Sequence, residues 1–206
     1  MPLESELFEA DVLAAFPAEV RIPARTVAGA LEASSELSPR ILVVLDDDPT
    51  GTQSVADLPV LTRWDVADFT WAFNHRIDGR RQDAVYVLTN TRSLDPAEAA
   101  ARNEEVVRNA LAAADLETGG SETGASISSG ASSRIRLGFV SRSDSTLRGH
   151  YPLEPDTIAA TIAAVSGEVT DGVVIVPAFP DAGRVTIGGV HYMRGTGEDA
   201  GKLTPV

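Results

Sequence analysis

The sequence predicts an α/β fold: an open, mainly parallel sheet flanked by helices, with polar loops on the carboxyl edge of its strands. Three observations lead there. Four short apolar runs recur along the chain, at 41–45, 84–88, 135–140 and 172–176. Helical patterns lie between them, and strands alternating with helices imply crossover units and parallel pairing. Each run is followed at once by a polar segment of unusual composition.

The elements follow in order. Residues 1–40 read as an N-terminal extension, with Leu7, Phe8, Val12, Leu13 and Phe16 at helical spacing before Pro17 and Pro23 interrupt. Ile41–Leu45 (ILVVL) contains no polar residue, which suits a strand buried on both faces of a parallel sheet. Leu58–Thr62 is a further short strand. Asp65–Arg76 has a helical pattern carrying Phe69 and Phe73. Trp64 and Trp71 read as core packing there, and His75 as a surface residue. Ala84–Leu88 (AVYVL) is the second buried strand. Pro96–Ala114 is the clearest helix, because Asp95 can cap it and Pro96 occupies the first position, where a missing N–H costs nothing. Ile135–Val140 (IRLGFV), a helix over Leu153–Val165, and Gly172–Val176 (GVVIV) complete the pattern. Glu117–Ser133 is rich in Gly, Ser and Thr and reads as a flexible insertion in a domain spanning 41–206.

Composition excludes several classes of function. The 206 residues are 43% apolar, and a chain this long buries about 70% of its unfolded surface, enough for an independent core. There is no cysteine, so disulfides, thiolate zinc sites and Cys nucleophiles are out. Thirty acids against 17 bases leave a net charge of −13, which offers no basic face to nucleic acid or to an anionic membrane. The single lysine is Lys202, so no Schiff-base or phosphate-loop lysine stands in the body of the chain. No segment reaches the ~20 apolar residues of a membrane span. Met1–Asp11 has Glu4, Glu6 and Glu9 but no base, unlike a secretory signal, and a cytoplasmic location is expected. The GxxxxGK[ST], GxGxxG, HExxH and GxSxG patterns are all absent, so neither a nucleotide loop nor a metal site is expected in this chain.

The polar segments carry the chemistry. They are 46–53 (DDDPTGTQ), 89–93 (TNTRS), 141–150 (SRSDSTLRGH) and 177–184 (PAFPDAGR). On a parallel sheet all four would line the carboxyl edge, where open α/β sheets bind ligands. They bring the carboxylates Asp46, Asp47, Asp48, Asp144 and Asp181 and the guanidiniums Arg92, Arg142, Arg148 and Arg184. Arginine forks bind carboxylate or phosphate, and carboxylates and hydroxyls bind sugar-like hydroxyls. The implied ligand is a small anionic polyhydroxy acid, whose approach local arginines must favour against the overall negative field. Structural roles compete for the same residues: a solvated turn at 46–48, a helix N-cap at Asp144 or Ser145, and packing for His150 and His191.

The strings DDDPTGTQ (46–53), LTNTRSL (88–94), SRSDSTLRGHYPLE (141–154) and VPAFPDAGRVTIGGVHYM (176–193) resemble, in order, those of the four-carbon acid sugar kinase family. That resemblance implies the N-terminal substrate-binding domain of an ATP-dependent, Mg²⁺-requiring kinase acting on acids such as threonate or erythronate. It also implies a separate C-terminal nucleotide-binding domain that this chain does not include, so the chain alone is expected to be inactive. By resemblance, substrate contacts fall to Asp47, Asp48, Thr50, Gly51, Arg92, Ser93, Arg142, Ser143, Asp144, Ser145, Thr146 and Arg148. Arg92 and Arg148 would clamp the carboxylate, and Asp47 or Asp144 would orient the accepting hydroxyl and take its proton. Many relatives have a lysine where this chain has Arg142 or Ser143.

The sequence leaves two alternatives open. Asp46-x-Asp48-x-Thr50 after a strand also fits a haloacid-dehalogenase-type phosphatase, although the usual lysine and late acidic pair are missing. The chain could equally be a non-catalytic sugar-acid-binding module.

Overall fold

In chain order the elements are β1 (Leu7–Phe8), α1 (Glu9–Ala14), α2 (Ala24–Leu37), β2 (Arg40–Asp46), β3 (Val60–Leu61), α3 (Val66–Asn74), β4 (Arg76–Ile77), β5 (Arg80–Arg81), β6 (Ala84–Leu88), α4 (Pro96–Gly119), β7 (Arg136–Arg142), α5 (Leu153–Ser166), β8 (Arg184–Ile187), β9 (Val190–Arg194) and β10 (Lys202–Pro205). This computed structural model describes residues 7–18, 20–37, 40–48, 50, 52, 55–119, 135–144 and 148–206. Most of the expected Gly/Ser-rich insertion therefore lies outside the described residues. The chain divides into two units, Ala24–Val173 and Met1–Pro23 with Val174–Val206.

The larger unit is built on a parallel sheet in the order β3-β6-β2-β7. Its core joins Ile41, Val43 and Leu45 of β2 and Val85 and Val87 of β6 to Phe69 and Phe73 of α3 and Val106, Val107 and Ala110 of α4. The expected burial on both faces holds only in part: Val44, on the face opposite Ile41, Val43 and Leu45, is buried at 6% exposure. Ile41, Val43 and Leu45 are buried, whereas Leu42 is 40% exposed and Val140 38%. The helical cover is concentrated on one face. On the other, Leu42 stands beside Gly138, where a Cβ would come within 2.8 Å of Leu42 Cδ2.

Helix starts follow local chemistry. The Glu98 N–H donates to Asp95 Oδ1 at 3.0 Å, and Pro96 opens α4 as expected. The Asp65 N–H donates to Asp68 Oδ2 at 3.1 Å at the head of α3. Trp64 does pack against the core. Trp71 does not: it is 53% exposed and stacks on His75 with ring centroids 4.8 Å apart. Phe69 and Phe73 claim the inner face of α3, and Trp71, midway between them in sequence, falls on the outer one.

The fourth expected strand is absent. Gly172–Val176 forms no ladder, and Val174 and Val176 are 90% and 73% exposed. An apolar run becomes a buried strand only where a partner strand and a helical cover exist, and the described residues give this run neither. The segment after it consequently does not stand at the end of a parallel strand. Asp181 lies in a short 3₁₀ turn (Pro180–Ala182), and Arg184 opens β8.

The smaller unit is an antiparallel sheet in the order β1-β10-β9-β8, closed around Tyr192 and Leu203. Gly188 and Gly189, with φ of 58° and 82°, make the two-residue turn from β8 to β9, a conformation that favours glycine at both positions. His191 has the structural contact expected of it, its Nδ1 lying 3.0 Å from Thr186 Oγ1. Among the described residues no helix is long and apolar enough to cross a membrane.

Candidate functional site

The strand order of the larger unit contains a switch point. β2 is central, with β6 on one side and β7 on the other, so the chain leaves it in both directions. Ligands bind open sheets at such a switch point, outside the carboxyl ends of the strands. Asp46 ends β2, Thr89 follows β6, and Arg142 ends β7.

The crest of β2 is tied down on both sides. Thr89 donates to the Asp46 carbonyl through its N–H at 2.8 Å and its hydroxyl at 2.9 Å. The Asp46 side chain is fully buried. Its Oδ1 accepts Arg142 Nη1 at 2.8 Å and the Asp48 N–H at 3.1 Å, while Oδ2 has no partner among the described residues. Burial pushes its pKa up, outweighing the hydrogen bond from Asp48 and the Arg142 charge.

Asp47 is equally buried and links all three loops. Its Oδ1 accepts Arg92 Nη2 at 2.5 Å, and its Oδ2 accepts the Asp144 N–H at 2.8 Å and the Ser143 hydroxyl at 3.4 Å. Asp48 accepts the Thr50 N–H and hydroxyl on Oδ1 and Arg92 Nη1 at 2.8 Å on Oδ2. The two bonds from Thr50, then Arg92 and Arg142, hold its carboxyl below the ordinary value.

Arg92 is presented by a 3₁₀ turn (Thr91–Ser93) that follows Asn90, whose backbone is left-handed with φ of 52°. Asn tolerates that conformation better than most residues. Burial works against the charge of Arg92, but Asp47, Asp48 and Asp144 overcome it and raise its pKa. Its Nε is buried without a partner among the described residues. Asp144 pairs with Arg148 and lies 3.5 Å from Arg92 Nη1. Gly149 passes directly over this loop; a Cβ there would strike the Asp144 carbonyl oxygen and come within 2.8 Å of Ser143 Oγ.

Asp47, Asp48, Thr50, Arg92, Arg142, Ser143, Asp144 and Arg148 thus converge. Ser93 does not join them, its hydroxyl donating to the Asn90 carbonyl at 2.9 Å. Gly51, Ser145 and Thr146 lie outside the described residues. Asp144 does not cap α5, which starts after Pro152; its N–H serves Asp47 instead. Among the described residues four carboxylates, Asp46 among them, face three guanidiniums.

Sequence reasoning missed a layer beneath. Glu154, 3% exposed, receives Thr91, Asn103 and Ser141. His150 Nε2 meets the Thr91 carbonyl at 3.0 Å. The available signals were Asn103, polar among the alanines and valines of α4, and the position of Glu154 at the end of the 141–154 string.

The family model described as "Sugar-binding N-terminal domain" matches residues 42–204, most of the chain and all three loops. This chain belongs to the four-carbon acid sugar kinase family, as its sugar-binding N-terminal domain. Over 149 residues it is 29% identical to a D-erythronate kinase of Heliobacterium modesticaldum, an alignment covering 72% of this chain. The chain spans only 28% of the length of that kinase. No solved structure matches it significantly. Within this sugar-binding domain, the cluster at the ends of β2, β6 and β7 is the candidate site.

Proposed function

We propose that this chain is the substrate-recognising part of an ATP-dependent kinase that phosphorylates a four-carbon sugar acid such as erythronate or threonate. The observation that carries this reading is the crowding of Asp46, Asp47, Asp48 and Asp144 with Arg92, Arg142 and Arg148 at the switch point of a sugar-binding domain. Arg142 and Arg148, the more exposed guanidiniums, receive the ligand's carboxylate together with Arg92. Asp48 and Asp144 accept its hydroxyls. Asp144 or Asp47 orients the accepting hydroxyl and takes its proton, a role that depends mainly on positioning.

The phosphoryl donor is ATP with Mg²⁺, the metal supplying charge neutralisation. Among the described residues no group of three or more His, Asp or Glu side chains is placed to hold a metal ion. The strand-end carboxylates are committed to arginines and N–H donors instead, so these residues do not fit a Mg²⁺ site. Nucleotide and metal then fall to the separate C-terminal domain of the family. The phosphatase alternative needs Asp46 as an accessible nucleophile, against its complete burial and its bond to Arg142.

Calorimetric titration with D-erythronate, D-threonate, their mirror images, the neutral tetritols and ATP tests the reading. One of the acids binds in preference to its tetritol, and ATP does not bind. Mg²⁺-dependent hydrolysis of p-nitrophenyl phosphate by the chain would favour the phosphatase instead.

A further inference from the structure

Glu154 is the second residue of α5, in the turn where a helix favours negative charge. It is nevertheless buried. Oε1 accepts the Thr91 hydroxyl at 2.5 Å and Asn103 Nδ2 at 3.2 Å, and Oε2 accepts the Ser141 hydroxyl at 3.3 Å. All three donors are neutral, and among the described residues no ion pair reaches this carboxylate. A buried charge held this way is expensive, and an apolar side chain would serve packing at lower cost.

Its partners explain where it stands. Thr91 immediately precedes Arg92, and Ser141 immediately precedes Arg142. Thr91 Oγ1 lies 3.3 Å from Thr89 Oγ1, and Thr89 in turn donates to the Asp46 carbonyl. One carboxylate therefore braces the loop after β6 against the end of β7, with the crest of β2 one hydrogen bond further on.

We propose that Glu154 is a positioning residue for sugar-acid recognition, setting the separation of the Arg92 and Arg142 loops by accepting Thr91 and Ser141 together. The proposal rests on the sugar-acid reading of the site. A carboxylate suits the task because it only accepts, and all three neighbours present donors. Glu154→Gln keeps the shape but removes the charge, and its N–H₂ faces the Ser141 hydroxyl, which must turn to accept, so bonds to a carboxylate give way to weaker neutral ones. The hydroxyls can rotate, so the fold survives while the register of the loops is released.

The test combines two measurements on the 206-residue chain. Hydrogen exchange without ligand reads the loops directly. In Glu154→Gln, amides of Thr89, Leu94 and Asp144 exchange at least about 10-fold faster, while those of Val43 and Val87 are unchanged. Calorimetry with D-erythronate gives a Kd weakened about 10-fold at unchanged stoichiometry, because small misplacements of binding groups are costly. Thr91→Val has the same effect, and the double variant is no worse than either single one. Wild-type loop exchange in Glu154→Gln overturns the proposal. So does a lower stoichiometry at wild-type Kd with uniformly faster exchange, the signature of a purely structural residue. If the wild-type chain binds none of D-erythronate, D-threonate and their mirror images, the sugar-acid reading of the site fails, and the exchange experiment still decides whether Glu154 sets the loops.

Discussion

Asp47 and Arg92, 45 positions apart in the chain, meet at the crest of the sheet, Nη2 to Oδ1, at 2.5 Å. The contact joins the loop after β2 to the loop after β6. Through its second oxygen Asp47 also fixes Asp144 and so the loop after β7. One carboxylate thereby assembles a site from three distant segments.

Removing Arg92 leaves Asp47 buried and short of its cation. Breaking a buried pair from one side costs about 3–5 kcal/mol, and the residual exposure of Arg92 places Arg92→Ala at the lower end. The melting temperature falls, and D-erythronate binding is lost. Thermal unfolding and calorimetry on the same sample check both.

The Asp46 carboxyl is held above its ordinary value of 3.8 by burial. Folding therefore favours its protonated form. Its contribution to stability is complete below pH 3.8 and is lost as pH rises through the raised value. Asp48, held below 3.8 chiefly by Thr50, acts oppositely: its contribution is present above 3.8 and is lost as pH falls through the lowered value. Urea midpoints taken from about pH 3 to about pH 6 separate the two. Asp46→Asn removes a decline above pH 3.8, and Asp48→Asn removes a rise that leads up to it.

Gly149→Ala sets a methyl group against the Asp144 carbonyl oxygen and 2.8 Å from Ser143 Oγ. Backbone cannot yield there without moving Asp144. Overpacking of this kind costs about 1–3 kcal/mol, and binding weakens with it. Denaturant unfolding measures the first effect and ligand titration the second.

Phe73→Ala is the contrasting case. Phe73 is fully buried between α3 and the sheet, so its loss costs about 3–5 kcal/mol. The folded fraction keeps its affinity for D-erythronate. A lowered stoichiometry at unchanged Kd distinguishes this core residue from the site residues.

The sequence was most legible where one local signal decides the outcome. Ala84–Leu88 becomes β6 with the expected bounds, and α4 starts where Asp95 and Pro96 place it. The residues Asp46–Asp48, Arg92 and Ser141–Asp144 stood out because each apolar run gives way at once to a polar segment. Gly172–Val176 was misread because its composition suits a strand while its burial depends on a partner that composition does not reveal. Glu154 was invisible for a related reason. An acid in the first turn of a helix is ordinarily a solvated residue at the positive end of the dipole, and only the fold turns it inward.

The measurement closest to the central claim is amide mapping of the bound sugar acid, by chemical shift and exchange at saturation with whichever of D-erythronate, D-threonate and their mirror images binds most tightly. Perturbation and protection are expected at Asp47, Asp48, Arg92 and Asp144, and are lost in Arg92→Ala. Absence of any response at these amides, or a response confined to other parts of the chain, would contradict it.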